Sequence, residues 1–282
     1  MINSELLAVF YSLASAISWG TGDFSGGVAT KRTNLYGVVI GSQALGGLFL
    51  ALIAFGVAEP WPGWLDLVYG AAAGISGVLG LLALYRGLAE GRMGVVAPVA
   101  AVVTAIVPVF VGFFMEGLPA SQQLLGLGVA LVAVWLISGA GAQLRISTQE
   151  LRLPLMAGLG FGLFFILIDR VSVGAVFWPL VAARLASVSM LAVLMRARVQ
   201  DQARPATKHL LLIGLAGLFD AGGNAFFALA TQAGRLDIAA VLSSLYPAST
   251  VMLAWLILKE RLTLPQWLGV GAALAAVVLI AW

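Results

Sequence analysis

The sequence predicts an all-α polytopic membrane protein: about ten transmembrane helices, arranged as two inverted five-helix repeats around a central cavity. Three observations predict it. The 282 residues are 61% hydrophobic and only 10% charged, whereas a soluble domain carries about 25% charged residues; a water-soluble chain this apolar could not cover its own surface with polar groups. The apolar runs last about 20 residues, the length of one bilayer span, and short polar punctuation separates them. Finally, landmarks in the second half return in the order they take in the first.

The spans read as residues 5–27, 35–57, 64–88, 94–115, 121–140, 151–170, 174–196, 208–232, 237–257 and 263–281. Punctuation between them includes Lys31-Arg32-Thr33-Asn34, Glu59-Pro60-Trp61-Pro62-Gly63, Glu116-Gly117-Leu118-Pro119, Gly234-Arg235-Leu236-Asp237 and Lys259-Glu260-Arg261. The thinnest boundary is Asp169-Arg170 to Gly174; without it the chain would have nine spans. Barrel strands alternate apolar and polar over about 10 residues, a pattern absent here. The first run opens near Met1 without a basic flank and continues through Trp19 and Phe24, so it reads as a span rather than a cleaved leader.

The repeat sets Tyr85 to Ser138 against Ala228 to Ala281. The first stretch holds Gly91-Arg92-Met93, an apolar span to Glu116, then Gln123 and Leu125-Gly126. The second holds Gly234-Arg235-Leu236, an apolar span to Glu260, then Gln266 and Leu268-Gly269. Gly74 and Gly80 fall against Gly217 and Gly223. Residues 1–142 and 143–282 are the expected repeats, together forming one membrane domain. An odd number of spans in each half makes the halves face opposite ways, the architecture that supports a midplane site opening alternately to each side. Glycine pairs such as Gly22 with Gly26 and Gly70 with Gly74 share helix faces, where small residues let backbones approach.

Several function classes are excluded. The chain has no cysteine, so thiolate metal sites, disulfides and cysteine nucleophiles are absent. The one histidine, His209, lies in the most basic loop and cannot build a zinc site. No Gly-x4-Gly-Lys-Ser/Thr sequence supports direct ATP use, and no Gly-x-Ser-x-Gly elbow supports hydrolysis. No basic stripe with interleaved aromatics suggests nucleic-acid binding. The expectation is a non-enzyme without metal or cofactor, whose partners are the lipid bilayer and a small-molecule substrate.

Ionisable residues inside spans are costly and usually face a bundle interior or aqueous cavity. Arg184 and Asp220 lie about 18–20 Å deep at 1.5 Å per residue and are placed to pair; a structural ion pair and a substrate-binding set both fit, and a zwitterion would use both groups. Trp19, Gln43, Tyr85, Trp178, Asn224, Ser243 and Tyr246 are the uncharged cavity candidates, with Ser244 beside them. Asp23 and Arg86 lie nearer span ends, where snorkelling to headgroups is expected. Glu116, Lys259 and Glu260 belong to span ends. Pro98, Pro108 and Pro247 occupy corresponding spans four and nine. Proline leaves a helix carbonyl without its N–H partner, and interrupted segments in equivalent positions of two halves point to site and gate.

Ser18-Trp19-Gly20, Pro179 with Arg184, and above all the run from Pro247 to Leu279 with Lys259-Glu260-Arg261-Leu262 and Gln266-Trp267-Leu268-Gly269 resemble the drug/metabolite transporter superfamily, in its ten-helix EamA-type branch. The resemblance covers nearly the whole chain; it departs in placing Pro98 and Pro108 opposite a single Pro247. It implies two five-helix repeats around a central cavity and a secondary transporter, with amino acids, other metabolites or drugs exported. Amino-acid export by alternating access in a bacterial inner membrane is the leading expectation, with the monomer as the working unit; proton coupling, exchange and facilitated diffusion each suit the absence of ATP motifs. The alternatives are a drug or other metabolite carrier, an ion channel, or a non-transporting scaffold. Lys and Arg concentrate in the loops after spans one, three, five, seven and nine. The positive-inside rule puts that side in the cytoplasm and the termini outside, whereas the resemblance implies termini inside.

Overall fold

The computed structural model describes the backbone of residues 4–30, 35–90, 93–138, 148–197, 209–259 and 261–281, and their side chains except at 35, 85–90, 93–98, 148–150 and 195–197. The described residues form helices and connecting turns, with no strand. The helices are α1 (Ser4–Thr30), α2 (Leu35–Gly56), α3 (Trp64–Glu90), α4 (Met93–Glu116), α5 (Ser121–Ile137), α6 (Thr148–Asp169), α7 (Phe177–Ala197), α8 (Leu210–Ala233), α9 (Leu236–Ser243), α10 (Tyr246–Leu258) and α11 (Leu264–Ala281). Eight segments of the described chain are long and apolar enough to cross a membrane, α9 and α10 counting as one. α1, of 27 residues, and the shorter apolar α5 stand at the positions of the other two expected spans. Large apolar side chains such as Phe10, Phe55, Phe114 and Leu274 stay exposed on the outer surface, as suits a lipid-facing wall.

The halves interlock. The extensive contacts pair α1 with α8 and α3 with α6; α3 with α7 and α2 with α8; α4 with α6 and α1 with the α9–α10 segment. Exchanging each helix for its counterpart in the other half maps this set onto itself. The pairs α5 with α11, α2 with α7, and α4 with α9 map onto themselves. That is the packing of a pseudo-two-fold axis, and it leaves neither half a complete core of its own.

The repeated glycines show the same relation at atomic scale. A Cβ on Gly74 would lie 2.1 Å from the Ala183 carbonyl of α7, and one on Gly217 would lie 2.4 Å from the Ser42 carbonyl of α2. Only glycine permits such backbone approach, which is how helices associate where lipid removes the hydrophobic drive. Hydroxyls bridge the same seams: Ser187 Oγ donates to the Gly74 carbonyl (2.9 Å), and Ser15 Oγ of α1 to the Gly223 carbonyl of α8 (2.8 Å).

The corresponding spans four and nine differ. α4 runs unbroken through Pro98 and Pro108. Span nine is divided: Ser244 and Leu245 form a turn between α9 and α10, and Pro247 sits in the first turn of α10. The expected symmetrical interruption is therefore present in one half only. Pro247 starts a helix, a position that does not need its missing N–H, whereas Pro108 withholds an N–H from the Thr104 carbonyl inside a continuing one.

Candidate functional site

The break in span nine presents Tyr246 toward α1, and Gly20 of α1 permits the approach: a Cβ there would lie 2.5 Å from the Tyr246 carbonyl. Trp19 lies beside this contact, edge-on to Tyr246 at 6.5 Å and stacked at 5.4 Å on Phe165 of α6. Phe165 in turn stacks on Phe227 of α8 at 4.3 Å. The Trp19 indole N–H donates to the Asn224 amide oxygen at 2.9 Å. The four rings build an aromatic floor, and ring pairs of this kind contribute about 0.5–1.5 kcal/mol each beyond burial. Gly223 makes room for it, since a Cβ there would meet the Trp19 ring at 2.4 Å.

Above the floor lies a cavity of about 380 Å³, bounded by α1, α2, α3, α4, α6, α7, α8 and the start of α10. Its lining comes from the C-terminal parts of α1 and α3, the N-terminal parts of α2 and α8, and the middle of α6 and α7. Those parts are nearest the loops rich in Lys and Arg, so the cavity occupies the half of the bundle toward that face. One wall is apolar, with Val78 and Leu81 of α3 and Phe161 and Phe164 of α6. The other carries the charges.

On that polar wall Arg184 is buried, with 5% of its side chain exposed, and its Nη1 lies 2.6 Å from Asp220 Oδ2. The same Nη1 donates to Gln43 Oε1 at 2.6 Å, and Gln43 Nε2 reaches Asp220 Oδ2 at 3.5 Å. Nε and Nη2 of Arg184 are buried without a hydrogen-bond partner. A buried donor left unmade costs about 1–3 kcal/mol, more when charged. These two N–H groups are chemically suited to a carboxylate or another anion, for which a guanidinium offers a fork of parallel donors, but in this conformation they are covered, so an anion reaches them only as the guanidinium shifts. Asp23 of α1, one turn beyond Trp19, also lines the cavity.

The opposite face is packed and bonded. Every residue of α9 is buried. Glu59 caps α7 across the repeat interface, accepting from the N–H groups of Val176 (2.6 Å), Phe177 (2.9 Å) and Trp178 (2.8 Å); the orphan amides and positive dipole end of a helix N-terminus attract such a carboxylate. Asp66 at the head of α3 accepts from Ser172 N–H at 2.8 Å. Arg235 donates to both oxygens of fully buried Asp237 at 3.0 and 2.7 Å, and to the carbonyls of Glu116 and Gly117. Its hydrogen bonds to Asp237 raise its pKa above the ordinary guanidinium value, so it is charged throughout the physiological range. Glu116 accepts from Leu236 N–H at the head of α9.

A family model for EamA-like transporters matches residues 6–139 and again residues 152–282. The chain belongs to the EamA-like transporter family. One solved protein structure superposes over 96% of this chain and 95% of its own, with a TM-score of 0.79 at 13% identity, a likeness that concerns the fold alone. A comparison with curated protein sequences returns no match.

Of the residues singled out by sequence in this EamA-family chain, Trp19, Gln43, Arg184, Asp220, Asn224 and Tyr246 all line this cavity. Trp178 lies elsewhere, packed against Phe55 and Trp61 at 4.9 Å each, with its indole N–H on the Glu59 carbonyl at the opposite face. Ser243 is fully buried at the end of α9, donating to the Ser12 carbonyl at 3.3 Å. Pro108 and Pro247 flank the cavity's lower end through Thr104 and Tyr246, which line it. The side chains of Tyr85, Arg86 and Pro98, and all of Arg92 and Glu260, lie outside the described residues. Sequence reasoning placed Asp23 at the headgroups, whereas it faces the cavity; its spacing of four from Trp19, which puts both on one helix face, was the available signal. Phe161, Phe164 and Phe165 carried no signal, being apolar residues in an apolar helix.

Proposed function

We propose that this protein is a secondary transporter that exports small organic metabolites, amino acids foremost, by alternating access across a bacterial inner membrane. The observation that carries the reading is Arg184: a buried guanidinium inside a span, paired with Asp220 on the wall of a cavity large enough for a small solute, with Nε and Nη2 covered and unmade. A purely structural ion pair would be expected to satisfy its donors, since burying them unpaired is costly. A solute carboxylate would complete the site once a shift of the guanidinium uncovers Nε and Nη2.

The asymmetry of the bundle supports alternating access. The cavity lies toward the arginine-rich face, while carboxylates and Arg235 tie the other face shut. By the positive-inside rule the arginine-rich face is cytoplasmic, so this conformation would load cargo from the cytoplasm. To release it outside, the contacts of Arg235, Glu116 and Glu59 would open as equivalent seams on the cytoplasmic side close, the exchange that inverted repeats permit. A single chain encloses the whole cavity, so the monomer is the proposed working unit, with a proton gradient as the energy source.

Purified protein in liposomes, given a mixture of labelled amino acids with and without a proton gradient, tests this. Saturable movement that unlabelled competitors suppress is the expected result. Linear, non-competed leakage, equal to that of empty liposomes, would refute a carrier for this class.

A further inference from the structure

Three charged side chains among the described residues line the cavity: Arg184, Asp220 and Asp23. Arg184 and Asp220 neutralise one another at 2.6 Å, and Gln43 also engages this pair. Asp220 is thus engaged through Oδ2. Asp23 makes no hydrogen bond or ion pair with a described residue, and its side chain is open to the cavity. It lies near enough to Asp220 and to the Tyr246 hydroxyl to interact with both electrostatically. The described lining is therefore one positive charge short, in an environment where an uncompensated charge is expensive.

Two complementary deficits share this chamber. Arg184 has buried donors with nothing to accept them; Asp23 has an acceptor carboxylate with nothing to donate to it. Facing both, Val78, Leu81, Phe161 and Phe164 offer no hydrogen-bonding group. Building on the transporter reading, we infer that Asp23 is the cation-binding pole and Arg184 the anion-binding pole of a zwitterion site. The cargo is a molecule with an ammonium and a carboxylate at one end and an apolar body at the other. Asp23 binds the ammonium, and the guanidinium of Arg184, whose Nε and Nη2 are covered in this conformation, shifts to bind the carboxylate while Asp220 holds it. The apolar body rests on the α3 and α6 wall. A dicarboxylate meets two negative groups in this chamber, and a diamine meets the guanidinium, so both are disfavoured.

Binding to the purified full-length protein in detergent tests the two poles with three probes of one shape: leucine, 4-methylpentanoate, which lacks the ammonium, and 3-methylbutylamine, which lacks the carboxylate. The wild type binds leucine about tenfold or more tighter than either half-molecule, the worth of one charge-assisted hydrogen bond. Asp23→Asn brings leucine down to the level of 4-methylpentanoate while leaving 4-methylpentanoate unweakened, and Asp23→Glu restores the preference for leucine. Equal binding of leucine and 4-methylpentanoate by the wild type, or a uniform loss of all three probes in Asp23→Asn, overturns the assignment. So does failure of the wild type to bind any of them. The liposome measurement stands apart from these outcomes: saturable flux of amino acids without this binding pattern keeps the carrier and removes the two-pole site.

Discussion

Two ion-paired arginines set the cavity wall and the closed face of this bundle apart, and they are bonded differently. Arg235, on the closed face, uses all three guanidinium nitrogens: Nε and Nη2 on Asp237, Nη2 also on Gly117, and Nη1 on Glu116. Arg184, on the cavity wall, uses Nη1 alone and leaves Nε and Nη2 buried and unmade. Both sit beside an aspartate at 2.6–2.7 Å, so ion pairing as such does not separate a lock from a site. The separation lies in what remains unsatisfied. A fully bonded charge holds two elements together, while a partly bonded one gains capacity for a visitor when its covered donors are exposed.

The largest effect should come from breaking the cavity pair. Arg184→Gln leaves Asp220, whose side chain is 36% exposed, without its cation; screening at that carboxylate brings the cost below that of a fully buried pair, to about 2–3 kcal/mol. Thermal unfolding in detergent should show that loss. Adding Asp220→Asn should recover most of the stability, because an amide pair leaves no uncompensated charge, without recovering transport. If the double variant is as unstable as the single one, Arg184 is holding the bundle through something other than Asp220.

A smaller, different effect is expected at the lock. Arg235 is about one quarter exposed, so Arg235→Gln should weaken the closed face by about 1–2 kcal/mol, a five- to thirtyfold change in the ratio of closed to open forms. The chain has no native cysteine, so Leu242→Cys, fully buried in α9, reports on that face. Its labelling by a membrane-impermeant maleimide should speed up in the Arg235→Gln background. Unchanged labelling would remove Arg235 from the gate.

Packing predictions sharpen the symmetry between the halves. Gly74→Ala and Gly217→Ala each drive a Cβ into a facing carbonyl and should cost similar amounts, about 1–3 kcal/mol of overpacking. Gly271→Ala in α11 meets nothing within 4 Å and should be neutral or stabilising by up to about 1 kcal/mol. Unfolding midpoints of the three variants compare them directly. Smallest of all, Trp178→Phe should leave cargo affinity unchanged, because Trp178 packs at the Glu59 cap, away from the cavity.

Most of the fold was legible because lipid imposes it: spans follow from run length, and the repeat from the shared order of Gly-Arg, glutamate and Gln landmarks. The interlocking of the halves was not, since hydropathy says which residues avoid water but not which helix each one faces. Within the site, polar residues announced themselves by their cost inside a span, which is how Arg184, Asp220, Gln43 and Asn224 were visible. The same reasoning offered Trp178 for the cavity, whereas it packs at the head of α7 against Glu59 of the loop after α2. Asp23 was read as a headgroup residue because its distance from the span end left that option open. The break before Pro247 was visible as a proline, but the continuity of α4 through Pro98 and Pro108 was not, since a proline marks a missing donor without saying whether the helix stops.

The most direct test of the central claim is the flux of labelled leucine through liposomes bearing the Arg184→Gln/Asp220→Asn double variant, compared with wild type at equal protein content. Saturable flux in the wild type, and flux at the level of empty liposomes in a double variant that unfolds near the wild-type temperature, is the predicted result. Undiminished saturable flux in the double variant would contradict it and would return the Arg184–Asp220 pair to a structural role.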